Sequence, residues 1–485
     1  MRGRWLLVLL GWFSAAYFAP RDPGWNVNSR LALVYAVVDE HRLTIDSFHE
    51  RPGYATGDKA FFDGHFYSDK VIGNALFAVP PYQVARWLTP ALSPEAKRWV
   101  CTAFTVGLAF GLLLALMAHL IERLGAPPRQ ATLLAALSGF GTMLFPYATI
   151  LMPYVPGCLL LMLGYRLTLA PTPEEDLGAV APSRLALAGL CLGLSVLFDF
   201  LFAPAAAAVL LHVLLSQSRA RGVARGLGLT ALSAFGAFAG LAPQLVYSLS
   251  VFGSLSLPYE YEHDPFFREA MAGGLMGIHW PPDPRVLWLI TFHPFRGLFF
   301  LAPLLLAALP GSVALARGPH GLPRAVMAVA LSVVYLLLNA GYRHQWWGGW
   351  ACGPRLLLPA VPFLLLAASA AWITWRAARP LILILAAVSI GIQLLAAGID
   401  PQPPTPVPAG DANLYLMQAT LDQWYPNPVR TVWLPRLSHG EVAWSLGTAL
   451  GLRGWVSWLP LLLVWAVAAA VWLRRPAADP DTVQS

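Results

Sequence analysis

Charge is what this chain has least of. Only 12% of its 485 residues are Asp, Glu, Lys or Arg, about half the roughly 25% of a soluble domain. So little polar surface cannot solvate a chain that is 57% hydrophobic, which excludes an ordinary water-soluble globule. Acid is scarcer than base, with 25 Asp and Glu against 32 Lys and Arg. The surplus of +7 does not point to nucleic acid. The arginines stand in short loops between apolar runs, as positive charge does when it orients a membrane protein. Cysteine is nearly absent. Cys101, Cys158 and Cys191 lie in apolar stretches and Cys352 is alone in a loop, so neither a disulfide framework nor a metal cluster is indicated. The chain also lacks GxxxxGK(S/T), a dinucleotide fingerprint after a strand, HExxH and GxSxG, so a nucleotide-powered pump or a membrane protease has no usual signature here. No repeat of 20–50 residues is visible, which removes a solenoid, and no inverted repeat is visible either.

Long apolar runs take the place of charge. About 17–25 residues suffice to cross a bilayer. Such runs recur at 5–20, 99–121, 131–147, 153–170, 184–199, 201–217, 227–250, 298–316, 323–341, 356–374, 380–398 and 454–473. The first fits a cleaved signal peptide, but an uncleaved helix with Arg2 and Arg4 inside is the preferred reading. Arg219, Arg221 and Arg225, then Arg376 and Arg379, then Arg474 and Arg475 mark the cytoplasmic side. Counting back from them places 145–152, Asp199, 251–297, 342–355 and 399–453 outside. Segment 21–70 joins these only if 72–88 fails to cross. With Pro80, Pro81 and Arg86 in so short a run, 72–88 reads as an interfacial or half-crossing helix. The expected fold is all-α: a polytopic transmembrane helical bundle of about 12–13 spans with a small extracytoplasmic cap from the first loop. Residues 1–398 form the transmembrane module, including loop 21–70; 399–485 form an extracytoplasmic segment and a final helix.

Segment 21–70 carries the chemistry. Ser29 is a credible helix N-cap, and Leu31, Val34, Tyr35 and Val38 repeat at helical spacing, as in a helix lying flat in the interface. Beyond them come Asp46, Asp58, Lys59, Asp63, His65, Asp69 and Lys70. Solvated surface charge is the plain alternative. The interleaved Phe61, Phe62, Phe66 and Tyr67 argue against it, because they press the loop onto the membrane. A partly desolvated carboxylate can take a proton from an acceptor hydroxyl, while a lysine neutralises phosphate. Other outward groups are Asp199, an acid at a helix end, and Glu260 within YEYEHD. Arg296, Arg343, His344, Trp347 and Arg355 follow on later loops; guanidinium suits phosphate and aromatic faces suit sugars or prenyl chains.

The run TGDKAFFDGHFYSDKVIG, after NVNSRLALVYAVVDEHRLTID, resembles the first extracytoplasmic loop of the GT-C superfamily. These are polytopic glycosyltransferases using polyprenyl-phosphate sugars, among them protein mannosyltransferases, aminoarabinose transferases and Rgt-like bacterial enzymes. The family's Tyr-(Ser/Phe)-(Asp/Glu)-Lys-Pro element is Tyr67-Ser68-Asp69-Lys70 here, with Val71 in place of Pro. PFRGLFFLAP (294–303) and WWGGWACGPRLLLPAVPF (346–363) extend the resemblance over most of the chain by order of elements. Two positions depart from it. Asn28-Ser29 stands where many relatives carry an acidic pair, and Met152 where a second acid is common. That leaves Asp46, Asp58 and Asp69 as candidate bases and weakens the case for a divalent metal, whose need stays open.

The resemblance implies a polyprenyl-phosphate sugar donor and an extracytoplasmic lipid, glycan or protein acceptor. It further implies a site on the outer face of a bacterial inner membrane, in contact with the lipid bilayer and no nucleic acid. Lys59, Lys70, His65, Arg296, Arg343, His344, Arg355 and Trp347 are the expected donor-site residues, with Asp199 and Glu260 as further polar groups. The rival reading is a transporter or flippase of a lipid-linked sugar. That calls for ionisable residues strung through the spans, which here are nearly free of charge. A non-catalytic membrane scaffold is disfavoured by the density of acids in the first loop.

Overall fold

Hydrocarbon offers no water to peptide groups, so each crossing segment satisfies its own backbone as a helix. The computed structural model describes residues 2–170, 178–274, 277–318, 321–342, 346–404 and 426–474. Helix α1 (Arg2–Ala16) leads through strand β1 (Phe18–Ala19) to α2 (Gly24–Tyr35). The hairpin β2 (Ala60–Phe62) and β3 (His65–Tyr67) precedes α3 (Gly73–Leu88), α4 (Pro94–Thr102) and α5 (Leu108–Glu122). Next come α6 (Pro128–Phe140), α7 (Leu144–Ala148), α8 (Tyr154–Thr168), α9 (Pro182–Phe198), α10 (Ala203–Arg221) and α11 (Val223–Phe252). Short helices α12 (Pro265–Ala272), α13 (Pro284–Thr291) and α14 (Leu298–Leu301) lead to α15 (Ala308–Arg317), α16 (Gly321–Gly341), α17 (Val361–Thr374) and α18 (Arg379–Ile399). Strand β4 (Trp444–Ser445) and the C-terminal helix Leu459–Arg474 complete the described chain.

Side-chain contacts define the two ends of the bundle. At one, Arg4 pairs with Glu122, Arg123 donates to the Ala170 carbonyl, and Arg184 to that of Leu169. Arg221 reaches Val180, Arg129 reaches Leu473, and Trp372 links Gln130 to Arg379. This is the basic end. At the other, Trp99 Nε1 donates to Ala16, Tyr17 to Ser457, and Asn74 to Leu151. Seven helices are long and apolar enough to cross a membrane, Pro94–Glu122 (α4 continued into α5) among them. Five shorter or broken ones, α1, α6, α8, α9 and α15, run between the same two ends. Seven and five make twelve traverses among the described residues, and the chain is a polytopic all-α membrane protein.

Helix α3 is not one of the traverses. It begins against α9, where a Cβ on Gly73 would sit 2.3 Å from the Leu197 carbonyl oxygen. It ends with Arg86 donating to the Val38 carbonyl and pairing with Asp39 just beyond α2, both at 2.8 Å. Both ends of α3 therefore stay at the non-basic end, as its two prolines and short length suggest. Helices α9 and α11 are locked by two reciprocal small-residue pairs. A Cβ on Gly189 or Gly193 would lie 1.8 or 1.9 Å from a carbonyl of α11, and one on Gly236 or Gly240 would lie 2.4 or 2.5 Å from a carbonyl of α9. Backbones meet this closely only where side chains are missing.

Three expectations need correction. Ser29 does not cap a helix: α2 starts at Gly24 after Pro23, and Ser29 lies within it. Nor does α2 lie flat with one face in the interface, since Val27 to Tyr35 are all buried beneath the rest of the first loop. The single span expected over 131–147 is broken, with α6 ending at Phe140 and α7 starting at Leu144. The cap is tied down by β1 pairing antiparallel with β4, Phe18 opposite Ser445 and Ala19 opposite Trp444.

Candidate functional site

The hairpin β2–β3 builds the site. Asp63 and Gly64 take left-handed conformations, φ 47° and 79°, which is the turn that an Asp-Gly pair favours between antiparallel strands. Ala60 pairs with Tyr67, and the register continued outward sets Asp58 across from Asp69. The Lys70 ammonium closes the gap. It pairs with Asp58 Oδ2 at 2.9 Å and with Asp69 Oδ2. Asp69 also accepts from Ser29 Oγ at 3.1 Å, and Ser29 meets Ser68 Oγ at 2.8 Å. Position 29, where the resemblance would have an acid, thus supplies a hydroxyl to the acid at 69.

Glu262 is the fourth member, and sequence reasoning passed over it in favour of its neighbour Glu260. An isolated bridge pairs Ala60 with Glu262, and His263 N–H donates to the Lys59 carbonyl at 2.9 Å, laying this segment along β2. Glu262 is 4% exposed, and its carboxyl interacts with that of Asp69. Burial, then the Asp69 charge, push its carboxyl up to about 9. Burial raises Asp69 as well, although Lys70 opposes it. Burial would lower Lys70, but Asp58, Asp69 and Glu262 outweigh it and hold the ammonium well above its ordinary range. Glu260 is exposed and accepts from Leu257 N–H at 3.0 Å, a local turn contact.

Alternation along the strand sends Lys59 away from Asp58. Its Nζ meets His49 Nδ1 at 2.9 Å, Glu50 at 3.8 Å and the Phe66 ring at 4.6 Å. Asp46 is likewise elsewhere, accepting from Phe66 N–H at 2.7 Å and contacting His65 Nδ1 at 2.8 Å. Burial works against ionisation there, but these hydrogen bonds win and Asp46 is lowered from the usual carboxylate range. Asp46 and His65 fasten the hairpin; they do not join the Lys70 cluster.

Arg355 belongs to a later loop and follows Gly348 and Gly349, whose φ values of 73° and 69° fold that loop tightly. A Cβ on Gly348 would lie 3.1 Å from Arg355 Cγ. Arg355 Nε is buried without a hydrogen-bond partner, and the guanidinium interacts electrostatically with Asp58, Asp199, Tyr147 and Tyr154. Tyr154 in turn senses Arg355, Asp199, Arg30 and Lys70, and Tyr259 senses Asp199, Lys70, Arg30 and Asp69. First-loop acids and a later-loop arginine therefore lie within electrostatic range of the same tyrosines. Arg296 is spent differently. Its Nη groups donate to the Gly349 and Ala351 carbonyls, so it braces the loop that presents Arg355. Trp347 is buried in that loop beside Trp346. Asp199 Oδ1 accepts from Leu201 N–H at 3.0 Å, capping the short 3-10 turn Phe200–Phe202 that leads into α10, and interacts electrostatically with Arg355. Arg343 and His344 lie outside the described residues. Among the described residues, no group of three or more His, Cys, Asp or Glu is arranged to hold a metal ion, and the acids that converge enclose Lys70.

No protein-family description matches the sequence, and no curated protein matches it. The chain is similar to two solved structures of ArnT. Both are from Cupriavidus metallidurans and 15% identical. The one bound to undecaprenyl phosphate aligns with a TM-score of 0.46 over 81% of this chain and 64% of that one, so this chain spans just under two thirds of its length. The apo structure aligns with a TM-score of 0.48 over 96% of this chain and 73% of that one.

Proposed function

We propose that the chain is a GT-C-type glycosyltransferase of a bacterial inner membrane, moving a sugar from a polyprenyl-phosphate donor to an extracytoplasmic acceptor hydroxyl. The observation that carries this reading is a largely enclosed ammonium, Lys70, its side chain 12% exposed, clasped by Asp58 and Asp69 within electrostatic reach of Arg355. Two cations beside carboxylates suit a phosphate that must be held and a hydroxyl that must lose a proton. The positive-inside rule puts the arginine-rich end in the cytoplasm and the cluster outside.

In the proposed mechanism, the donor enters between helices with its phosphate against Lys70 and Arg355. Asp58 is the base. Its side chain is 11% exposed against 1% for Asp69, and Asp69 is already engaged by Ser29, Lys70 and Glu262. As Asp58 takes the acceptor proton, the acceptor oxygen bonds to the anomeric carbon and the bond from that carbon to phosphate oxygen breaks. The configuration inverts, and polyprenyl phosphate leaves with the bonding pair as a stable anion. Purified protein incubated with labelled polyprenyl-phosphate sugars and lipid extracts should release polyprenyl phosphate and label an acceptor. Movement of intact donor across sealed proteoliposomes with no transfer product would establish a flippase instead.

A further inference from the structure

Glu262 has no step in the mechanism above, yet the bridge between Ala60 and Glu262 brings its buried carboxyl against the first loop. It faces Asp58, Asp69 and Lys70 of that loop, with Tyr259 and His263 beside it on its own segment. From α12, Arg268 reaches only its main-chain carbonyl, through Nε at 3.1 Å. From α2, Ser29 holds the far side of Asp69. One carboxyl oxygen, Oε1, is buried without a hydrogen-bond partner, and the carboxyl interacts with that of Asp69. Three carboxylates around one ammonium would sum to −2, a poor receptor for phosphate even with Arg355 nearby. With one acid neutral the sum is −1, which Arg355 balances.

We propose that Glu262 is a positioning residue that works in its neutral form: its carboxyl proton is donated to Asp69, and this spares the Lys70 ammonium a third negative neighbour, so that it can also receive the donor phosphate. The proposal rests on the transferase reading. Loss of that proton adds a negative charge on the protein side of Lys70, which holds the ammonium back and repels an incoming phosphate. Burial and Asp69 keep the proton on Glu262 until the pH approaches about 9. The neutral fraction then falls as the pH rises from 8 to 10, and apparent affinity falls with it. A phosphate monoester, with its second pKa near 6, is already dianionic across this range.

The test uses farnesyl phosphate and the purified full-length protein, with binding followed by calorimetry at pH 8 and pH 10. The wild type should bind more weakly at pH 10. Glu262→Gln, which keeps a donor to Asp69 but cannot ionise, should bind as the wild type does at pH 8 and lose most of the alkaline weakening. Glu262→Asp should keep it. An unchanged alkaline weakening in Glu262→Gln overturns the proposal. Infrared difference spectra supply a readout independent of substrate. The wild type should show a protonated carboxyl band at neutral pH that disappears as pH rises past 9 and is missing in Glu262→Gln; a band undiminished in that variant also overturns it. No farnesyl phosphate binding at any pH, with the band still titrating, overturns the transferase reading and with it the role given to Glu262.

Discussion

Asp58 and Asp69 look interchangeable in sequence, each followed by a lysine, but their surroundings give them different tasks. Asp69 is engaged on every side, and removing its charge leaves Lys70 with one partner fewer in a nearly closed site. Asp69→Asn should therefore cost folding stability, about 2–3 kcal/mol, seen as a lower melting temperature of the detergent-solubilised protein. Asp58→Asn should cost less stability than Asp69→Asn, because Asp58 is the more exposed of the two and Asp69 still holds Lys70, and should keep farnesyl phosphate binding, yet lose on the order of 10²–10⁴-fold in transfer rate, the range for removing a general base. Substantial transfer by Asp58→Asn would move the base elsewhere in the cluster. The acids of this site were legible as a group because acid is so rare in the chain. What the sequence could not separate was Lys59 from Lys70 or Glu260 from Glu262. Those choices follow from strand alternation and from a bridge between residues about two hundred positions apart, Ala60 and Glu262. One local signal was there to be used: Asp63-Gly64 between aromatic-rich runs marks the hairpin that brings Asp58 and Asp69 together.

Among the elements, α9 and α11 are the pair most exposed to a single added methyl group. Their four glycines stand at i and i+4 on facing surfaces, Gly189 and Gly193 against Gly236 and Gly240, each directed at a carbonyl of the other helix. Overpacking a seam of this kind costs on the order of 1–3 kcal/mol. Because the obstacle is rigid backbone, Gly193→Ala should fall at the upper end, with a clear drop in melting temperature. Gly228→Ala on α11 has open space around it and should be silent. Equal melting of the two variants would mean that the helices are not in backbone contact. The seam also reaches the site, because Gln244 on α11 accepts from Ile72 N–H at 3.1 Å and Gly73 packs on α9, which fixes the chain just after Lys70. Run length and hydropathy made the crossing helices readable, since the bilayer sets a length that sequence must meet. The break between α6 and α7 was hidden because Gly141 and Thr142 interrupt the helix without interrupting the apolar composition. The buried position of α2 was hidden too, because the residues that cover it come from later in the same loop.

At the scale of the molecule, the proposal depends on which water each end of the bundle touches. Twelve traverses return both described termini to the basic end, and α3 stays at the other, so the hairpin and the α10–α11 turn must face opposite compartments. The native cysteines make this simple to test. Cys101, Cys158, Cys191 and Cys352 are all buried, so a membrane-impermeant maleimide should find no reactive thiol in the folded wild type. Ser47 in the first loop and Ala220 at the end of α10 are exposed, and cysteine is a small change at either. In sealed right-side-out vesicles, Ser47→Cys should label at once and Ala220→Cys only after the membrane is opened. Inverted vesicles should exchange the two results. Labelling of both positions from one side would require an even number of crossings between residues 47 and 220, as a spanning α3 would supply. It would also separate the first-loop acids from Arg355 and leave a donor phosphate with half of its proposed site.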